Sequence, residues 1–299
     1  MSPASAHHHP LAHALPLFLA AGVLLTSLDT TAKYLVRDHS LLLVVWARYA
    51  GQMLVVTPFA RHRAGRSFWR TRHLGIQLAR SACLLIATGC FFSALRYLPL
   101  AEASAITFLS PVFIVLLSQP LLGERPTRAR WAAVVMGFIG VVVLLRPGSA
   151  VFHPAALLLI VCALANGLYQ LLTRKVPGDS PHTTLFYSGV LGAVGTTVAL
   201  PFGFEGESLT AFAIALLLLT GLLAGSAHYL LTRAYLIAPA SLLTPFTYLQ
   251  MVWATIFGYV VFGQLPDRWS FVGMAIVVGS GVMLALVERR RARLIRRFP

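Results

Sequence analysis

Asp29 and Lys33 stand four residues apart inside an otherwise apolar stretch, and Arg48 lies inside the next one. A spacing of four puts Asp29 and Lys33 on one helix face, where the two charges can neutralise each other. At about 1.5 Å of rise per residue, Arg48 sits roughly 12 Å into its own helix, near the depth of Asp29. An ionisable group in hydrocarbon costs about 2.5–3.5 kcal/mol even on insertion scales, so such groups face a partner or a cavity. Two readings of this cluster are open. It is a salt bridge that pins two neighbouring helices, or it is a cargo site in which Arg48 or Lys33 takes a carboxylate and Asp29 an ammonium group or a coupling proton.

Uncharged candidates lie elsewhere. Asn166, Tyr169 and Gln170 have the spacings of three and four that share one helix face. Gln250 and Trp253 fall mid-helix with Tyr248 beside them, while Trp46, Tyr187 and His228 each sit inside an apolar run. The rings serve as packing or as cavity lining, and His228 as a packing group or a proton relay. Arg96 and Glu102 flank a tight turn at Leu98–Leu100 and read as a local ion pair. Arg80 and Arg233 lie within two turns of helix ends, from which they snorkel to water.

Enzyme constellations are missing from the chain. There is no HExxH, no GxSxG, no carboxylate pair and no phosphate-cradling glycine loop with its lysine. Ser226 and His228, two apart on a helix, point in different directions. No enzyme activity and no cofactor are therefore expected. Cys83, Cys90 and Cys162 have no metal-ligand spacing and read as packing thiols, so no metal site is expected. His7, His8, His9 and His13 are taken as a functionally neutral tail, with metal binding as the other reading.

The elements that position these residues are membrane helices. Hydrophobic residues make up 58% of the 299, charged residues 11%, and mean hydropathy is +0.77, more apolar material than one soluble core buries. Spans of roughly 20 apolar residues cross a bilayer, and ten can be drawn: 11–36, 41–60, 74–96, 101–122, 131–146, 154–173, 182–201, 211–236, 239–262 and 269–287.

The chain also repeats itself. Pro99/Pro239, Thr107/Thr247, Leu109/Leu249, Val112/Val252, Gly123/Gly263 and Pro126/Pro266 share one offset of 140. Tyr169 occupies the position that Asp29 holds in the first copy. Each copy closes a block of five spans, and an odd number makes the second block enter the bilayer from the opposite side, giving an inverted repeat. The expected organisation is a short tail over 1–10, one repeat over 11–147, a second over 153–287 and a basic tail over 288–299. Spans five and ten carry Gly137, Gly140, Gly273, Gly279 and Gly281 among aliphatics, which suits close helix packing.

The net charge of +15 is distributed by side. Arg61, Arg63, Arg66, Arg70, Arg72, Arg125, Arg128, Arg130, Arg174, Lys175 and the six arginines from Arg289 to Arg297 fall on one side of a ten-span chain, against Arg37, Arg96, Arg146 and Arg268 on the other. The positive-inside rule places the first set, and both termini, in the cytoplasm. Glu205 and Glu207 fall on the outer side. Basic clusters scattered beside hydrophobic spans fit anionic lipid head groups and not nucleic acid. The expected partners are membrane lipids and a small-molecule metabolite, and a homodimer is compatible with the sequence.

The passage PLAEASAITFLSPVFIVLLSQPLLGE ending at Glu124, then Arg130–Trp131 and a glycine-containing apolar span ending in Arg146–Pro147–Gly148, resembles the EamA-type branch of the drug/metabolite transporter superfamily. The resemblance covers about 11–287. The second copy departs from it, with Gln264 where Glu124 stands and Gln250–Met251 where Ser110–Pro111 stands. The resemblance implies a ten-helix inner-membrane carrier with a central cavity lined by spans one to four and six to nine. It implies export of an amino-acid-derived compound, such as an amino acid, an amine or an opine-type metallophore. The alternative is uptake of a cofactor-like solute such as riboflavin or S-adenosylmethionine, whose carriers the ARSACLLI and RYLPLAEASAI passages also resemble. A channel or a non-transporting membrane protein is the remaining reading.

Overall fold

A computed structural model describes residues 10–124, 126–146, 152–176, 178–203, 206, 208–238 and 243–297, without the side chains of 10–12, 64, 244–245 and 288–297. Expectations for His7, His8, His9, Arg125, Glu205, Glu207, Pro239 and the side chains of the terminal arginines lie outside the described residues. Every regular element among the described residues is a helix: α1 (Pro10–Asp38), α2 (Leu41–Ala64), α3 (Leu74–Leu95), α4 (Leu100–Thr107), α5 (Ser110–Leu122), α6 (Arg128–Leu145), α7 (Ala156–Thr173), α8 (Pro181–Gly203), α9 (Ala211–Ile237), α10 (Leu249–Phe262) and α11 (Arg268–Arg297). Among the described residues nine stretches are long and apolar enough to cross a membrane, and Phe246–Phe262 is a shorter apolar one.

Two of the ten expected spans are not single helices. The fourth breaks between α4 and α5, because Pro111 has no N–H to give the Thr107 carbonyl. The Ser110 hydroxyl donates to that carbonyl instead, at 2.7 Å. The ninth turns in 3-10 geometry over Thr244–Tyr248 before α10 begins. Both broken spans then end alike. Gly123 and Gly263 take left-handed φ values of 72° and 64°, closing α5 and α10 in a conformation that side chains resist. Elsewhere Ser40, Thr127 and Thr210 accept the N–H three residues ahead, at 3.4, 3.3 and 3.1 Å, and so start α2, α6 and α9.

Packing follows the 140-residue offset. Helix α1 lies on α9 and α3 on α7, and the offset converts one pair into the other. Helices α2 and α8, and α6 and α11, each pack a helix on its own counterpart, while α10, the counterpart of α5, packs on α4. A Cβ on Gly140 would stand 2.9 Å from the Gly273 carbonyl oxygen, which lets α6 and α11 touch backbone to backbone. Gly279, grouped with them by sequence, has open space instead. Large apolar side chains such as Phe138, Val198, Leu218 and Val260 stay exposed around the bundle, as a lipid-facing surface requires.

Candidate functional site

A cavity of about 820 Å³ lies between α3, α7 and α8 on one side and α1, α9 and α10 on the other. Asn166, Tyr169 and Gln170 line it from α7, as their shared face anticipates. Across from them are His228, Thr232 and Tyr235 of α9, Gln250 and Trp253 of α10, and Phe18, Gly22 and Leu25 of α1. The volume lies within the range of about 300–1,000 Å³ usual for small-molecule sites, and the mix of rings, amides and aliphatics is of the same kind. Seven of the eight spans expected to line a central cavity contribute; α2 does not.

Arg80, Gln77, Asp179, Thr184 and Tyr235 are lining or supporting residues that sequence reasoning missed. Arg80 does not snorkel: it is 1% exposed. Its Nε donates to Thr173 Oγ1 at 2.8 Å, its Nη1 to Gln77 Oε1 at 2.5 Å, and its guanidinium lies 4.7 Å from the Tyr169 ring centroid. Gln77 Nε2 passes the network on to Asp179 Oδ2 at 2.7 Å, which Thr71 also reaches at 2.5 Å. Partial burial pushes the Asp179 carboxyl up, but the hydrogen bonds from Thr71 and Gln77 and the nearby His73 hold it below its ordinary value. Two long polar side chains one turn apart, Gln77 and Arg80, were the available sequence signal.

The charged cluster takes a different form from the one expected. Asp29 and Lys33 do not pair. The Lys33 ammonium donates to the backbone carbonyls of Leu98 and, at 3.2 Å, of Leu95, satisfying acceptors that the end of α3 leaves open. Arg48 is buried at 5% exposure, stacks 4.4 Å from the Tyr49 ring, and has an Nη1 without a hydrogen-bond partner among the described residues. Asp29 feels its field without touching it. Arg96 and Glu102 do not pair either: Arg96 donates to the carbonyls of Val36 and His39 at 2.6 and 2.8 Å, and Glu102 accepts from Ser270 at 2.8 Å.

Of the twelve candidate positions, Asn166, Tyr169, Gln170, His228, Gln250 and Trp253 line the cavity; Asp29, Lys33, Trp46, Arg48, Tyr187 and Tyr248 stand outside its lining. Trp46 donates to Thr197 at 3.0 Å and Tyr187 to the Trp69 carbonyl at 2.8 Å. Asp29 is close to the floor nonetheless. It lies one turn beyond Leu25 on α1 and within electrostatic reach of Cys162, whose sulfur accepts from Asn166 at 3.5 Å.

Arg174, Val176, Asp179 and Pro181 line one end of the cavity, where α7 joins α8. The Thr71–Asp179 bond and the Arg174–Glu124 pair at 3.2 Å bring three of the basic connections together there. At the opposite ends of these helices polar contacts tie neighbouring elements together: Lys33 and Arg96 on backbone carbonyls, Arg37 4.7 Å from the Phe262 ring, and Arg146 paired with Asp267 at 2.7 Å.

Apolar helices of membrane-spanning length surround a cavity sized for a small molecule. The EamA-like transporter family matches this chain twice, over residues 13–146 and 153–286. The chain belongs to that family. This EamA protein is similar to the riboflavin transporter of Rhizobium johnstonii, 33% identical over 248 residues that cover 82% of this chain and 81% of the relative. A riboflavin transporter of Vibrio cholerae is 30% identical over 294 residues, covering 97% and 98%. An S-adenosylmethionine uptake transporter of Rickettsia prowazekii is 28% identical over 265 residues, covering 88% of each. A solved crystal structure that is 23% identical superposes with a TM-score of 0.68 over 93% of this chain and 99% of its own, and so shares the fold. The EamA protein is a transporter and a multi-pass protein of the cytoplasmic membrane.

Proposed function

We propose that this transporter takes up a flat, polar heteroaromatic solute of the riboflavin kind. The observation that carries the reading is the cavity wall, where the Tyr169 and Trp253 rings stand among the amides of Asn166, Gln170 and Gln250. Rings bind the faces of a planar solute and amides its hydrogen-bonding edge. The relatives named above are carriers of riboflavin or S-adenosylmethionine, which supports uptake of a cofactor-like solute over export of an amino-acid-derived one.

The reading includes an orientation and a cycle. The end carrying the basic connections faces the cytoplasm, both termini lie there, and the two five-helix halves are inverted copies; the helix packing that repeats under the offset supports this. In that frame the cavity opens inward, and Lys33, Arg37 and Arg96 close the outer end. Asp29, between the cavity floor and that closure, carries the coupling proton.

Binding tests the reading directly. Riboflavin fluorescence is quenched when the ring stacks on an aromatic side chain, so purified protein titrated into riboflavin should quench it saturably. Trp253→Ala should weaken binding about tenfold, the order expected for one lost stacking partner. No quenching by the folded wild-type protein would remove the flavin class.

A further inference from the structure

Arg80 is the cavity's unpaired cation. No carboxylate among the described residues lies within ion-pair distance of it. Nε and Nη1 are held by Thr173 and Gln77, and Nη2 donates to nothing among the described residues. A buried guanidinium without a counter-charge is costly, and its fork is shaped for oxygen acceptors. The other charges on the wall do not compensate it. Asp179, the one carboxylate among the described lining residues, is occupied by Thr71 and Gln77, and Arg174 pairs with Glu124 outside.

We infer that Arg80 sets the chemistry of the cargo, taking a carbonyl, carboxylate or phosphate oxygen on Nη2 and excluding cationic solutes. The inference rests on the cavity being the cargo site and adds the class of group recognised there. Tyr169 braces the guanidinium plane, while Thr173 and Gln77 fix its rotation, so the free nitrogen is held in place before cargo arrives. The carbonyl-bearing edge of a flavin meets this requirement. S-adenosylmethionine offers Arg80 a carboxylate, but its sulfonium and ammonium meet no available carboxylate on the wall.

Charge-selective labelling tests this without any flavin. Gln170→Cys is made in a protein carrying Cys83→Ser, Cys90→Ser and Cys162→Ser, and its modification rate is measured with a sulfonate-bearing and a quaternary-ammonium methanethiosulfonate of similar size. The ratio of the two rates at one thiol reports local charge and is insensitive to how much protein is folded. The sulfonate should react faster, and Arg80→Gln should lower the ratio about tenfold, the size of one unit charge acting at short range. Arg80→Lys should keep most of the preference. Equal rates in the parent protein, or a ratio unmoved by Arg80→Gln, would overturn the inference. A charge ratio that behaves as expected in a protein that does not quench riboflavin would leave Arg80 as the acceptor-binding residue and reject the flavin assignment alone.

Discussion

Phe108 and Tyr248 are 140 residues apart in the chain and stack on each other, ring centroids 5.1 Å apart and planes 27° from parallel. They are the same position of the repeated passage, and each sits where its span breaks out of α-helical geometry. Tyr248 also lies against Gly281 of α11, where a Cβ would overlap its ring. The contact therefore joins the two broken spans and the last helix.

Topology gives the first prediction. Single cysteines in the 61–73 loop and after Glu288 should be shielded from an impermeant thiol reagent in intact cells, while one at Glu205 should label. Labelling of the 61–73 loop from outside would contradict the proposed orientation.

Close helix approach gives the second. A Cβ on Gly51 would stand 2.7 Å from the Gly221 Cα, backbone against backbone, so α2 and α9 cannot accept a side chain there without moving apart. Gly221→Val should destabilise by about 1–3 kcal/mol, the usual cost of overpacking, and lower the melting temperature in detergent.

The outer closure gives the third. Lys33→Met removes the donor that serves the Leu95 and Leu98 carbonyls and should lower the folded yield, with a cost of about 1–3 kcal/mol for acceptors left open. Asp29→Asn disrupts no pair and should fold normally. If Asp29 carries the coupling proton, this variant should lose flux driven by a pH gradient while exchange is less affected. Normal gradient-driven flux in Asp29→Asn would end the coupling role.

Much of this arrangement was legible in the sequence. The span count, the one-face trio Asn166, Tyr169 and Gln170, and the equivalence of Gly123 and Gly263 follow from periodicity and offset alone. What escaped were partnerships fixed by tertiary contact. A spacing of four made Asp29 and Lys33 look like a pair, but the lysine stem is long enough to reach open carbonyls at the end of α3 and in the turn after it, 62 and 65 residues away. Arg80 looked like a snorkelling end residue because nothing local reveals that Thr173 and Tyr169 cover it. The helix breaks were partly visible in Pro111 and Pro245, yet apolar composition alone reads each span as continuous.

Acid stability gives the fourth prediction. Asp179 titrates below its ordinary value in the folded protein, so its contribution is present above the unfolded carboxyl value and is lost as pH falls through the folded one. The difference in melting temperature between wild type and Asp179→Asn should be flat from about pH 5 to 8 and shrink below about pH 4. A difference that vanishes already near neutral pH would show that the Thr71–Gln77–Asp179 contact does not form.

The central claim is inward movement of a flavin-like solute through the cavity between α7 and α10. The direct measurement is accumulation of radiolabelled riboflavin by intact cells of a bacterium without a flavin carrier, expressing this chain or its Tyr169→Ala, Trp253→Ala variant at equal membrane level. The account predicts saturable accumulation with the wild-type chain, competed by unlabelled riboflavin and lost in the double variant. Accumulation no greater than in cells lacking the chain, or faster loss of riboflavin from preloaded cells that express it, would contradict it.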